Sequence, residues 1–89
     1  KYLEINEIKI ANKINKICKY LIPKVKNKLN TKKILAHAKH ELILHGIDKI
    51  DYLTILTETL EKRKSLKSKS RIFIAANVGS TRLIDNFPI

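Results

Sequence analysis

The side chains best suited to chemistry lie near the middle of the chain: His37, His40, Glu41 and His45. Imidazole and carboxylate groups bind zinc, and the run from His40 to His45 is one residue longer than the His-Glu-x-x-His zinc signature. Histidines five positions apart on a helix diverge by about 140°, so His40 and His45 cannot face one ion. His37, Glu41 and His45 share a helical face, but polar residues at this spacing are typical of a solvated stripe. No metal site is predicted.

Cys18 and a basic loop are the other chemical candidates. Cys18 is the only cysteine, which excludes an internal disulfide. Its spacing of four residues from Ile14 and from Ile22 predicts a buried side chain rather than a reactive thiol. In the loop, Leu66–Ser70 shares only its last three residues with the Lys-Met-Ser-Lys-Ser nucleotide loop of class I adenylate-forming enzymes. We therefore interpret Lys62–Ser70 as an exposed, mobile linker.

The balance of 19 Lys and Arg against 8 Asp and Glu gives a formal net charge of +11. Such a charge favours polyanionic partners, so a free-standing basic module that binds RNA or another polyanion is one hypothesis. The lysines, however, are spread over helices and loops, and only residues 62–71 form a dense cluster. Lys, Ile and Asn are abundant together, which indicates a compositional bias. No specific nucleic-acid partner is predicted.

A length of 89 residues predicts a single domain, residues 1–89, with one hydrophobic core. No apolar run approaches the roughly 18 residues of a membrane span, and the lysine-rich start lacks the apolar segment of a signal peptide. These features predict a soluble, cytoplasmic protein without a membrane partner.

The first predicted helix begins at Asn6, a plausible N-cap, and ends near Ile22 because Pro23 cannot continue it. Its apolar residues recur at threes and fours and form one stripe: Ile8, Ala11, Ile14, Ile17, Cys18 and Leu21.

The second predicted helix is capped by Asn30 or Thr31, and Gly46 ends it in a left-handed conformation. Its apolar positions are Ile34, Leu35, Ala38, Leu42 and Ile43.

Three strands are predicted in the second half of the chain. Ile50–Thr57 is rich in strand formers, and Arg71–Asn86 is a hairpin in which Gly79 supplies a positive φ. The expected fold is α+β, a small three-stranded antiparallel sheet with two helices packed on one face. One face of the second strand, formed by Ile72, Ile74, Ala76 and Val78, should meet the helices. On the other face, an exposed Phe73 marks a candidate contact surface.

The hairpin resembles the C-terminal end of pantothenate synthetase (pantoate-beta-alanine ligase), where an Ala-Ala-x-x-Gly-x-Thr-Arg-Leu-Ile-Asp-Asn run closes the polypeptide. Here that run is Ala75–Asn86. Ile50–Leu53, followed by Thr59 and Leu60, is similar to the Val-Asp-Tyr and Thr-Leu residues that precede this hairpin in the family. Lys1–Leu3 resembles the residues just after the family's Ser-Ser-Arg-Asn nucleotide signature.

The resemblance implies a cytoplasmic enzyme of pantothenate synthesis. In that family ATP, with Mg, and pantoate form pantoyl adenylate, and the amine of beta-alanine then displaces AMP. The chemistry lies on an N-terminal Rossmann-like domain, and this chain would be the C-terminal lid that closes over it. Both nucleotide signatures would precede Lys1, so no catalytic or cofactor-binding residue is carried over. The isolated chain is expected to be inactive.

Five positions match the terminal motif: Gly79, Thr81, Arg82, Asp85 and Asn86. We interpret them as structural, with Arg82 and Asp85 making local hydrogen bonds that fix the hairpin to the rest of the domain. Direct contact with ligand on closure is the alternative. Ser80 departs from the family, in which this position is commonly lysine.

Overall fold

The computed structural model of the chain describes the backbone of residues 5–89 and every side chain in that range except that of Asn6. The resemblance at Lys1–Leu3 lies outside these residues. Two helices are followed by three strands: α1 (Ile5–Val25), α2 (Lys32–Leu44), β1 (Lys49–Thr57), β2 (Ser70–Val78) and β3 (Thr81–Pro88).

The strands form one antiparallel sheet in the order β1-β2-β3, and both helices pack on the same face of it. Helix α2 lies against β1, and α1 lies against β2 and β3. This arrangement confirms the predicted α+β fold. Within residues 5–89, no helix is both long enough and apolar enough to cross a lipid bilayer.

Alternation along β2 places its apolar side chains between the sheet and the helices. Ile72, Ile74 and Val78 are almost inaccessible to solvent, as is Ala76, so the predicted inner face is confirmed. The buried side chains form one cluster: Ile14, Cys18, Leu21, Val25, Ala38, Leu42, Ile47, Leu53, Ile55, Ile72, Ile74, Ala76, Val78 and Phe87.

Helix α1 departs from prediction at both ends. Asn6 lies inside the helix rather than at its N-cap, and Pro23 does not stop it, since the helix continues to Val25. A proline at this position removes one backbone donor, and its ring crowds the carbonyl four residues before it. Val25 is fully buried in the core, and Lys26 N donates to Ile22 O at 3.0 Å. Burial of the last turn therefore outweighs the local preference of proline.

Helix α2 begins at Lys32 after Thr31, whose side chain makes no capping hydrogen bond. Instead, Lys32 N donates to Asn30 Oδ1 at 3.4 Å. Gly46 has a φ of +104°, as predicted for the residue that ends this helix. Ile43 is 47% exposed, so its predicted place in the apolar stripe is wrong.

The connection between β1 and β2 is not a loose linker throughout, because Arg63 within it is only 7% exposed. Its guanidinium donates to Lys26 O at 2.8 Å, to Val25 O at 3.2 Å, and to Leu66 O and Ser65 O at 3.3 and 3.4 Å. The first two acceptors lie at the carboxyl end of α1, where helical carbonyls lack partners and a positive charge is favourable. Arg63 thus anchors the basic loop to α1.

Candidate functional site: the terminal hairpin

The turn of the hairpin consists of two residues, Gly79 and Ser80. Gly79 has a φ of +59°, which confirms the conformation expected of it. Its amide N–H donates to Asp48 Oδ2 at 2.7 Å, and a Cβ built on Gly79 would overlap the carboxylate of Glu7. Asp48, the residue before β1, therefore holds the turn in place through this hydrogen bond, and Glu7, in the first turn of α1, lies close to Gly79.

Arg82 connects the two outer strands of the sheet. Its Nε donates to Asp51 Oδ2 at 2.9 Å, so β3 is tied to β1 across the intervening β2. The pairing of β1 with β2 shifts between Ile50 and Tyr52, and the irregularity at Asp51 is a β-bulge. Because bulges change the direction of side chains, this one brings the Asp51 carboxylate to the face that carries Arg82.

Asn86 and Asp85 make separate local contacts. Asn86 Oδ1 accepts a hydrogen bond from Arg71 Nε at 2.6 Å, and Asn86 N donates to Asp85 Oδ1 at 2.8 Å.

The negative charge of Asp85 also affects the ionisation of Cys18. Burial, together with the negative charge of Asp85, raises the pKa of the Cys18 thiol to about 12. The buried Cys18 therefore remains a neutral thiol, in agreement with the sequence-based expectation.

Thr81 differs from the other motif residues in its hydrogen bonding. Its hydroxyl oxygen is buried and, within the part of the chain that the structure describes, has no hydrogen-bond partner. The other four motif positions, Gly79, Arg82, Asp85 and Asn86, each bond to neighbouring protein groups.

The face of the sheet opposite the helices carries a small apolar patch. Tyr52, Ala75 and Ile84 are paired across the three strands, and Phe73 lies in the next row along β2 on the same side. We call these four residues the outer face. Ile84 is 63% exposed, Tyr52 is 38% exposed and Phe73 is half-buried, whereas Ala75 is fully buried. Phe73 was predicted to be exposed and is only half-exposed, because it lies on the central strand between β1 and β3.

The histidines on α2 form the solvated stripe that their spacing indicates. His37 Nε2 lies 3.6 Å from Glu41 Oε1, and His45 Nε2 lies 3.7 Å from Glu41 Oε2, with the His37 side chain 75% exposed. Among residues 5–89, no group of three His, Cys, Asp or Glu side chains could hold a metal ion.

A concavity of about 620 Å³ lies between the α1–α2 connection and β1. Lys28, Lys32 and Lys62 line it, together with apolar side chains that include Leu35 and Ile55. None of the hairpin motif residues contributes to its wall. The lysine-lined concavity and the hairpin are therefore separate surfaces.

Sequence reasoning missed the partners that fix these side chains. Asp51 was recognised only as part of a motif, and its pairing with Arg82 joins residues 31 positions apart. Arg63 was placed in a solvated loop. One sequence feature does set these residues apart, since only three of the 19 basic residues are arginines and all three make hydrogen bonds in the structure. The planar guanidinium offers several directed donors, which the ammonium group of lysine does not.

The fold and the hairpin define an α+β domain in which the side chains of Arg82, Asp85 and Asn86 make hydrogen bonds within the sheet. A sequence model of the family described as pantoate-beta-alanine ligase matches residues 1–88. The pantothenate synthetase of Sphingopyxis alaskensis is 36% identical over 56 residues, which cover 62% of this chain and 20% of that protein. The chain belongs to the pantoate-beta-alanine ligase family. The matched segment spans about one fifth of the length of this relative.

Proposed function

We propose that the chain is the C-terminal lid domain of an ATP-dependent ligase that condenses pantoate and beta-alanine to pantothenate through a pantoyl adenylate. The observation that carries the proposal is the match of the ligase family over residues 1–88. The relative is much longer than the matched segment, which supports a place for this chain within a larger enzyme.

In this proposal, an N-terminal Rossmann-like domain binds ATP, Mg and the two substrates, and this chain closes over them. Arg82 and Asn86 are engaged by Asp51 and Arg71, so we assign the hairpin motif to the structure of the lid rather than to ligand binding. The proposal places the enzyme in the cytoplasm.

Two measurements test the proposed function. The reading frame upstream of Lys1 should encode a Rossmann-like half that ends near a Ser-Ser-Arg-Asn signature. The purified 89-residue chain, incubated with ATP, Mg, pantoate and beta-alanine, should release no AMP above background, because positioning and charge stabilisation need groups that it lacks. Turnover by the isolated chain would refute the division of labour, and an unrelated upstream sequence would refute the lid role.

The polyanion-binding hypothesis gains no support from the sheet. The basic side chains beside the outer face are already paired, Arg82 and Lys49 with Asp51 and Arg71 with Asn86. The outer face offers only Tyr52 and Phe73 as aromatic surfaces. Nucleic-acid modules that bind through a sheet combine aromatic and basic side chains there. We expect binding to RNA or DNA to be weak, independent of sequence and lost in about 0.2 M salt. A sequence-selective complex that survives that salt concentration would revive the hypothesis.

A further inference from the structure

We propose that the outer face of the sheet is the surface that docks onto the N-terminal domain of the same polypeptide. The inference rests on the proposed function, because it requires that domain to exist. It adds the side of the lid that makes the contact and the residues at its centre, Tyr52, Phe73 and Ile84.

The distribution of lysine distinguishes the two sides of the molecule. Three of the 19 basic residues are arginines, so 16 are lysines, yet residues 70–89 contain none. The helices carry many of them, all exposed: Lys9, Lys13, Lys16, Lys19, Lys24, Lys32, Lys33 and Lys39. The cores of protein interfaces are depleted of lysine and enriched in tyrosine, phenylalanine and arginine. The outer face itself has no lysine, since Lys49 lies at its edge and is paired with Asp51, whereas the helical layer has the composition of a solvated surface.

The polar groups beside the outer face are already paired. Arg82 is bonded to Asp51, and Arg71 is bonded to Asn86, so both guanidinium groups are held in fixed positions. Side chains that are ordered before association lose less entropy when a partner docks. The patch is therefore a preorganised surface with an apolar centre and a polar rim, as in protein interfaces generally.

Connectivity and charge favour the N-terminal domain over a second copy of the chain. Glu7, in the first turn of α1, lies against Gly79, so polypeptide that precedes α1 joins the molecule at the turn end of the sheet. A domain attached to this end of the chain would meet the sheet at a higher effective concentration than a separate second copy does. Two copies, each with a net charge of +11, would repel one another.

Hydroxyl-radical footprinting with mass spectrometry tests the proposal. The complete polypeptide, expressed from its own full reading frame, is compared with the 89-residue chain. Tyr52 and Phe73 should be labelled at least fivefold more slowly in the complete polypeptide. Tyr20 is the matched control, since it is 66% exposed on α1 and should be labelled at the same rate in both proteins. Equal labelling of Tyr52 in the two proteins would overturn the proposal.

A matched pair of variants identifies the surface. Ile84→Lys places a lysine on the outer face, and Leu44→Lys places one on α2, at positions that are 63% and 65% exposed. Both variants of the 89-residue chain should keep the parental urea midpoint, which excludes misfolding. In the complete polypeptide, Ile84→Lys should restore at least half of the lost Tyr52 labelling, and Leu44→Lys should restore none. An unchanged footprint in Ile84→Lys would contradict the proposal.

Two further outcomes separate this inference from the alternatives. Protection of Tyr52 that rises with the concentration of the 89-residue chain alone would indicate a second copy as the partner and would overturn the inference. AMP release is measured on the same complete polypeptide and reports on the proposed ligase function. An active enzyme with an unprotected Tyr52 would refute the docking surface alone, whereas a protected Tyr52 without AMP release would refute the ligase function alone.

Discussion

Replacement of Arg63 should destabilise the domain more than any other change in its basic loop. The Arg63→Met variant keeps much of the buried stem but leaves the carbonyls of Val25 and Lys26 without the donors that now lie 3.2 and 2.8 Å away. Acceptors that are buried, as Val25 O is, or partly buried, as Lys26 O is, cost about 1 to 1.5 kcal/mol each when they lose a partner. The loss at the carboxyl end of α1 should therefore total about 2 to 3 kcal/mol, against a net stability of roughly 5 kcal/mol for a domain of this size.

Urea unfolding followed by circular dichroism measures this loss. With a denaturant slope near 1 kcal/mol per M, Arg63→Met should lower the midpoint by about 2 M or more. Arg63→Lys retains the charge but can reach fewer carbonyls, so its midpoint should lie between those of Arg63→Met and the parent. Lys64→Met is the control, since Lys64 is exposed and has no comparable contacts to lose. A midpoint of Arg63→Met within about 0.3 M of the parent would show that Arg63 does not anchor α1.

Three further predictions concern the turns and the core. Gly79→Val should cost about 1 to 2 kcal/mol in urea unfolding because of the positive φ, whereas Ser80→Lys on the exposed side of the same turn should stay within about 0.5 kcal/mol; equal midpoints for the two variants would refute the need for glycine. Leu60 has a φ of +62° and is 66% exposed, so Leu60→Gly should gain roughly 0.5 to 1 kcal/mol by the same measurement, and a loss of stability would contradict this reasoning. The pKa of the Cys18 thiol is raised from 9.0 to about 12 in the folded protein. The protonated thiol therefore contributes fully to the free energy of unfolding below pH 9, and this contribution is lost as the pH rises from about 9 to 12. Between pH 8 and pH 10, the parent should lose about 1.4 kcal/mol relative to Cys18→Ala, and a constant difference would show that the thiol ionises in the folded state.

The elements that the sequence predicted correctly are those specified by local patterns. The hairpin follows from alternating apolar residues on either side of Gly79, whose φ of +59° fits a tight turn. The inner face of β2 follows from alternation alone, since Ile72, Ile74 and Val78 are all buried. In these places, the local preference and the tertiary packing agree.

The errors arise where distant residues decide the outcome. Pro23 lies within α1 because burial of Val25 outweighs a missing backbone donor. Arg63 bonds to carbonyls 37 and 38 positions away, which a local composition of lysine and serine cannot indicate. The exposed fraction of Phe73 depends on the register of the neighbouring strands. The pairing of Asp51 with Arg82 depends on a β-bulge. Local sequence patterns do not specify these features.

The most direct test of the central claim is AMP release by the complete polypeptide expressed from the reading frame that contains this chain. With ATP, Mg, pantoate and beta-alanine, the account predicts AMP formation that requires both pantoate and beta-alanine. A truncated polypeptide that ends before Lys1 should lose most of this activity, because the lid is absent. Full activity of the truncated polypeptide, or no activity of the complete one under the same conditions, would contradict the assignment of this chain as the lid domain of a pantoate-beta-alanine ligase.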